Sequence, residues 1–124
     1  MNDLSFGDIK TILSDWASSQ DFVRKLWLYG SRWKGMPRTD SDIDIAIDVQ
    51  PPWYENAYQH FVCNRKYWTS TLQPYFPWKV HLNHYDPNTP DDLPVAEGNV
   101  KKAVDKESLL AYDIANDKTK KDIF

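Results

Sequence analysis

Ile43, Ile45, Ile47 and Val49 alternate with Asp42, Asp44, Ala46 and Asp48, and no other stretch constrains the fold as much. A period of two sends successive side chains to opposite faces of a strand, so the aliphatic set enters a core and the acids share the other face. Carboxylates that close repel one another unless a cation lies between them. Magnesium prefers such oxygen ligands and completes its shell with phosphate oxygens and water. Asp42 and Asp44 are therefore candidate metal ligands. Asp48 lies about 6–7 Å further along at ordinary strand rise and is read as part of a solvated polar face.

The segment before this strand carries the complementary half of a site. Lys25–Tyr29 reads as a short strand ending in Gly30-Ser31, and Arg32–Gly35 as one helical turn closed by Gly35 and Pro37. A chain turning from a strand into a helix offers free backbone N–H groups, which with the helix dipole favour a phosphate. Gly30 lets backbone approach that phosphate, Ser31 adds a hydroxyl donor, and Arg32, Lys34 or Arg38 can balance its charge. A Gly-Ser pair alone has little specificity. Standing ten residues before an Asp-x-Asp strand, it completes a site for a nucleoside triphosphate and its cation.

The remaining pattern supplies the scaffold. Residues 5–19 form an amphipathic helix through Ile9, Ile12, Leu13 and Trp16, with Ser5 and Asp8 placed as a capping box. Pro51-Pro52 starts a long helix over 52–73, whose aromatic stripe (Tyr54, Tyr58, Phe61, Trp68) is expected to be mostly core. Trp78–Asn83 forms a third strand, with Val80 and Leu82 on one face and His81 and Asn83 on the other. A Pro- and Asp-rich loop over 86–94 precedes a short helix over 95–106, then a terminal turn or edge strand over 107–112. The lysine-rich 116–124 is expected to fray. The sum is one α+β domain over 1–124, a mixed sheet of three to four strands backed by helices.

Bulk properties narrow the function classes. A chain of 124 residues suits one modest core. A net charge of −3 disfavours broad binding to nucleic acid, which calls for a basic surface. A single cysteine, Cys63, cannot form an internal disulfide and is expected to be a buried, inert thiol in a reducing compartment. No apolar run reaches a membrane span, and the first residues lack a basic start or signal core, so a cytoplasmic location is expected. So short and aromatic-rich a chain is expected to cover some surface by association, with itself or with a partner.

Taken in order, the helix, the strand, Gly30-Ser31-Arg32 with Gly35, Ser41-Asp42-Ile43-Asp44, the long helix and Pro77-Trp78-Lys79-Val80 resemble the nucleotidyltransferase signature of the DNA polymerase beta superfamily. The small size resembles its minimal nucleotidyltransferase branch. The resemblance covers about the first 85 residues. It implies transfer of a nucleoside monophosphate, AMP from ATP, with Mg2+ or Mn2+. Gly30, Ser31, Arg32 and Lys34 would hold the triphosphate, and Asp42 and Asp44 the metal. It also implies a HEPN-type protein partner and an antitoxin-like role.

One position departs from the family pattern. A third carboxylate is expected on the third strand, where Lys79-Val80-His81-Leu82-Asn83 puts His81. Imidazole is a poorer magnesium ligand than carboxylate but suits manganese or zinc, and it can serve as a general base. The competing expectation is that the change weakens catalysis and leaves a binding module that neutralises or scaffolds a partner by contact. Trp33 beside Ser31 can stack on a base or cap the core, and core is favoured. His84 and His60 are read as structural.

Overall fold

The computed structural model describes residues 4–35, 41–90 and 99–119. Ser5 starts helix α1 (Phe6–Ser18) by accepting from the Asp8 N–H while the Asp8 carboxylate accepts from the Ser5 N–H, the reciprocal cap its sequence encodes. Strand β1 (Val23–Tyr29) runs into Gly30 and the single turn α2 (Ser31–Lys34), which Gly35 closes in the left-handed conformation. Strand β2 (Ile43–Val49), helix α3 (Ala57–Leu72) and strand β3 (Val80–His84) follow. Helix α4 (Val100–Lys106) and strand β4 (Leu109–Asp113) complete the order.

The four strands form a mixed sheet in the order β3-β2-β1-β4. β1 is antiparallel to β2 and β4, whereas β3 runs parallel to β2 after the α3 crossover. Ile43, Ile45, Ile47, Leu26, Leu28 and Leu82 are almost completely buried on one face, against Leu13 of α1 and Leu72 of α3. Phe22 stacks on Trp68 with ring centroids 3.8 Å apart, tying the entry of β1 to α3. On the other face, Tyr85 packs against Trp27 and donates its hydroxyl to Asp105 of α4.

Several expectations need correction. α3 begins at Ala57, not at the proline pair, because the Asn56 side chain accepts from the Gln59 N–H and so caps the helix there. Trp53 is 95% exposed, and Tyr54 and Tyr58 are also exposed, so only Phe61 and Trp68 of the aromatic stripe enter the core. Cys63 is exposed rather than buried, because it lies on the helix flank away from Phe61 and Trp68. Asp48 is 5% exposed rather than solvated, paired with Arg24 at 3.6 Å; burial pushes its carboxyl up while Arg24 and Lys25 pull it down. Asp117, in the stretch expected to fray, accepts from Ser18, Tyr112 and Thr119; residues 120–124 lie outside the described residues. The helix expected over 95–106 is described only as α4, since 91–98 lie outside as well.

Candidate active site

Sheet register assembles the site from three strands. Tyr29 pairs with Asp44, and Asp44 pairs with His81, so the end of β1 and the starts of β2 and β3 meet in one row. Gly30 follows directly with φ 77° and ψ −160°, a combination open in practice only to glycine. A Cβ at Gly30 would collide with Asp44 Oδ2. The bend and the acid therefore touch. The missing side chain leaves room for that carboxylate oxygen to lie against the turn.

The other Asp44 oxygen is engaged. His81 Nδ1 lies 3.3 Å from Asp44 Oδ1, with His81 48% and Asp44 26% exposed. An Nδ1–H donated to Asp44 leaves the His81 Nε2 lone pair turned outward as a proton acceptor. Burial pushes the Asp44 carboxyl above the usual carboxylate range, His81 opposes that shift, and the Asp42 charge adds to it. Asp42 stands just before β2 and senses both Asp44 and Arg32 electrostatically.

Among the described residues, no three His, Cys, Asp or Glu side chains gather as a metal-binding cluster. Two carboxylates suffice for magnesium, which ordinarily takes one or two from the protein and the rest from phosphate and water. The donor set fits such an ion, which Asp42 and Asp44 would hold.

The basic residues divide. Lys34 is exposed at the end of α2. Arg32 is only 9% exposed: its Nε and Nη2 donate to the Ser41 carbonyl at 3.2 and 2.6 Å, and its guanidinium lies 3.7 Å over the Trp78 ring. The side chain read as a phosphate cation instead clamps the segment leading into β2, beside Asp42, to the turn carrying Ser31. Arg32→Ala is expected to cost about 2 kcal/mol through a lost charged hydrogen bond and a lost cation–π contact. Chemical denaturation checks this; an unchanged midpoint would reject the clamp. Arg38 lies outside the described residues. Trp33 packs against the core and meets Phe6 edge-on at 5.1 Å, the reading favoured over base stacking.

Two residues escaped the sequence reading. Asn83 Nδ2 donates to the Tyr29 hydroxyl at 2.7 Å, spanning β2 over the small Ala46. Burial pushes the Tyr29 phenol up to about 12, with Asn83 opposing and the Asp44 charge adding, so it stays protonated as a donor beside Asp44. The alternation that put Asn83 on the His81 face was the available signal; the Tyr29 partner follows only from register. His84, read as structural, stacks on Phe61, and its Nε2 is buried with no hydrogen-bond partner among the described residues; burial favours its neutral form. A hollow of about 370 Å³ between α1 and β4 opens at the far end of β1, near Asp113 and Asp117 rather than Asp44.

The chain matches the family model described as Polymerase beta, Nucleotidyltransferase over residues 10–93. That span holds most of α1 and all of β1, α2, β2, α3 and β3, hence every site residue named above. No curated protein matches the chain.

Proposed function

Because the chain belongs to the polymerase beta nucleotidyltransferase family, we propose that it transfers AMP from ATP to a hydroxyl on a HEPN-type protein partner, in an antitoxin-like role. The contact between Gly30 and Asp44 carries this reading, since one bound nucleotide can touch both. The triphosphate lies against Gly30 and Ser31, with Lys34 beside its outer charge. A divalent ion held by Asp42 and Asp44 would neutralise phosphate charge and align the reacting groups. The acceptor oxygen bonds to the α-phosphorus as the bond to the bridging oxygen breaks. Pyrophosphate leaves with that electron pair, and the hydroxyl proton passes to His81 Nε2.

One observation favours a second reading. His81 stands where the family pattern expects an acid and is turned onto Asp44 itself. On this reading the domain neutralises its partner by contact, with weak chemistry or none.

Incubation with α-labelled ATP, Mg2+ or Mn2+ and the product of the neighbouring gene separates the two. Transfer predicts a labelled partner with Mg2+ or Mn2+ and less label in His81→Asp, which removes the proton acceptor; a gain of label in that variant marks His81 as weakened chemistry. Absence of label under either metal rejects transfer to that partner. Neutralisation that persists in Asp42→Asn and Asp44→Asn supports the binding module.

A further inference from the structure

In-line displacement requires the nucleophile and the leaving pyrophosphate on opposite sides of the α-phosphorus. In the sheet, β1 with Gly30 flanks Asp44 on one side and β3 with His81 flanks it on the other. With pyrophosphate leaving along the Gly30–Ser31 turn, the acceptor enters past β3, the edge strand. Arg65 stands there. It reaches from α3 around that edge, and its Nη2 donates to Asn83 Oδ1 at 3.4 Å. Asn83 in turn donates to Tyr29, opposite Asp44. Unlike Arg32, Arg65 is exposed, with its guanidinium carbon 5.8 Å from the Phe61 ring centre.

The face of α3 beside Arg65 carries basic and apolar side chains together. α3 carries Arg65 and Lys66 and no acidic residue, in a chain of net charge −3. Tyr58 and Val62, both exposed, precede Arg65 at helical spacing. The strip follows β3: Tyr58 meets His84 with centroids 6.0 Å apart, and Arg65 meets Asn83. A complementary occupant carries carboxylates and apolar side chains together. Two cations beside exposed Val62 suit a polypeptide better than a nucleic acid, whose affinity grows with the number of phosphates neutralised.

We propose that Arg65 is an acceptor-side positioning residue, which holds a carboxylate flanking the acceptor hydroxyl of a protein segment laid along Tyr58, Val62 and Lys66. This rests on the transferase reading above.

The test uses the full chain with an ATP analogue that cannot be cleaved, Mg2+, and two fluorescent peptides. Each peptide bears one serine and one leucine; one is flanked by glutamates and the other by lysines. Anisotropy is expected to show the glutamate peptide bound at least about fivefold tighter, with that preference lost in Arg65→Glu and weakened in Lys66→Glu. Stabilisation by ATP with Mg2+ is expected to survive in both variants, which also shows that they fold. Equal binding of the two peptides, an undiminished preference in Arg65→Glu, or equal binding of a single-stranded oligonucleotide of the same length overturns the proposal. Failure of ATP to stabilise the wild type overturns the transferase reading, and the inference with it. ATP stabilisation without a peptide preference overturns the inference alone.

Discussion

Gly30→Ala is expected to abolish nucleotide-dependent stabilisation and lower any transfer activity by about a hundredfold or more, the scale that a displacement of about 1 Å can cost a catalytic site. Two effects combine. The backbone at φ 77° and ψ −160° lies in a region essentially reserved for glycine, so any side chain costs of the order of 1–3 kcal/mol. The new methyl also meets Asp44 Oδ2, which must move out of the space beside the turn. For a chain of this size the strain alone corresponds to a loss of about 5–15 °C in Tm.

Gly35 supplies the control. It too has positive φ, 78°, in the left-handed region, but a Cβ there meets nothing within 4 Å. Gly35→Ala is expected to cost about 1 kcal/mol and to leave the ATP-induced shift intact. Melting curves for both variants, with and without ATP and Mg2+, separate strain from the collision. If Gly30→Ala kept the wild-type ATP shift, the site would not lie between the turn and Asp44.

The contrast between these glycines shows what the sequence could carry. Strand periodicity put Asp42 and Asp44 opposite the isoleucines, and it put His81 on the matching face of β3. The α+β sheet, its helices and the row of site residues follow from that alternation plus a single register. Register itself was not legible, so the Tyr29–Asn83 contact across Ala46 was missed. Side-chain reach was the other hidden quantity. Arg32 looks like a phosphate cation by position, yet its guanidinium fork fits the Ser41 carbonyl and the Trp78 face better than open solvent. The aromatic stripe failed for a geometric reason. Asn56 starts α3 late and leaves Trp53 and Tyr54 outside the helix, while Tyr58 falls at the edge of the buried stripe. Asp48 failed because Arg24, its neighbour across the strands, folds over it.

Asp44→Asn is expected to move stability and function in opposite directions. Burial raises the Asp44 carboxyl, His81 lowers it in part, and Asp42 raises it further, with the net shift upward. A carboxyl whose folded pKa lies above its unfolded value stabilises the fold fully below the unfolded pKa, near 4. That contribution is lost as pH rises through the folded value. At neutral pH the ionised Asp44 is therefore a cost, and an amide of the same shape removes it. Without ligand, Asp44→Asn is expected to melt at or above the wild-type temperature at pH 7, with the difference vanishing toward pH 4. With ATP at about a hundred times its Kd and with Mg2+, the wild type gains roughly 2.7 kcal/mol and the variant little or nothing, so the order reverses. Transfer is expected to fall by about a thousandfold or more, the scale set by losing a preorganised charge in a reacting site. A variant that melted lower without ligand would make Asp44 a structural carboxylate held by His81. A half-buried charge that costs the free protein stability and regains it only with a cation and a phosphate chain is the expected signature of a residue kept for chemistry.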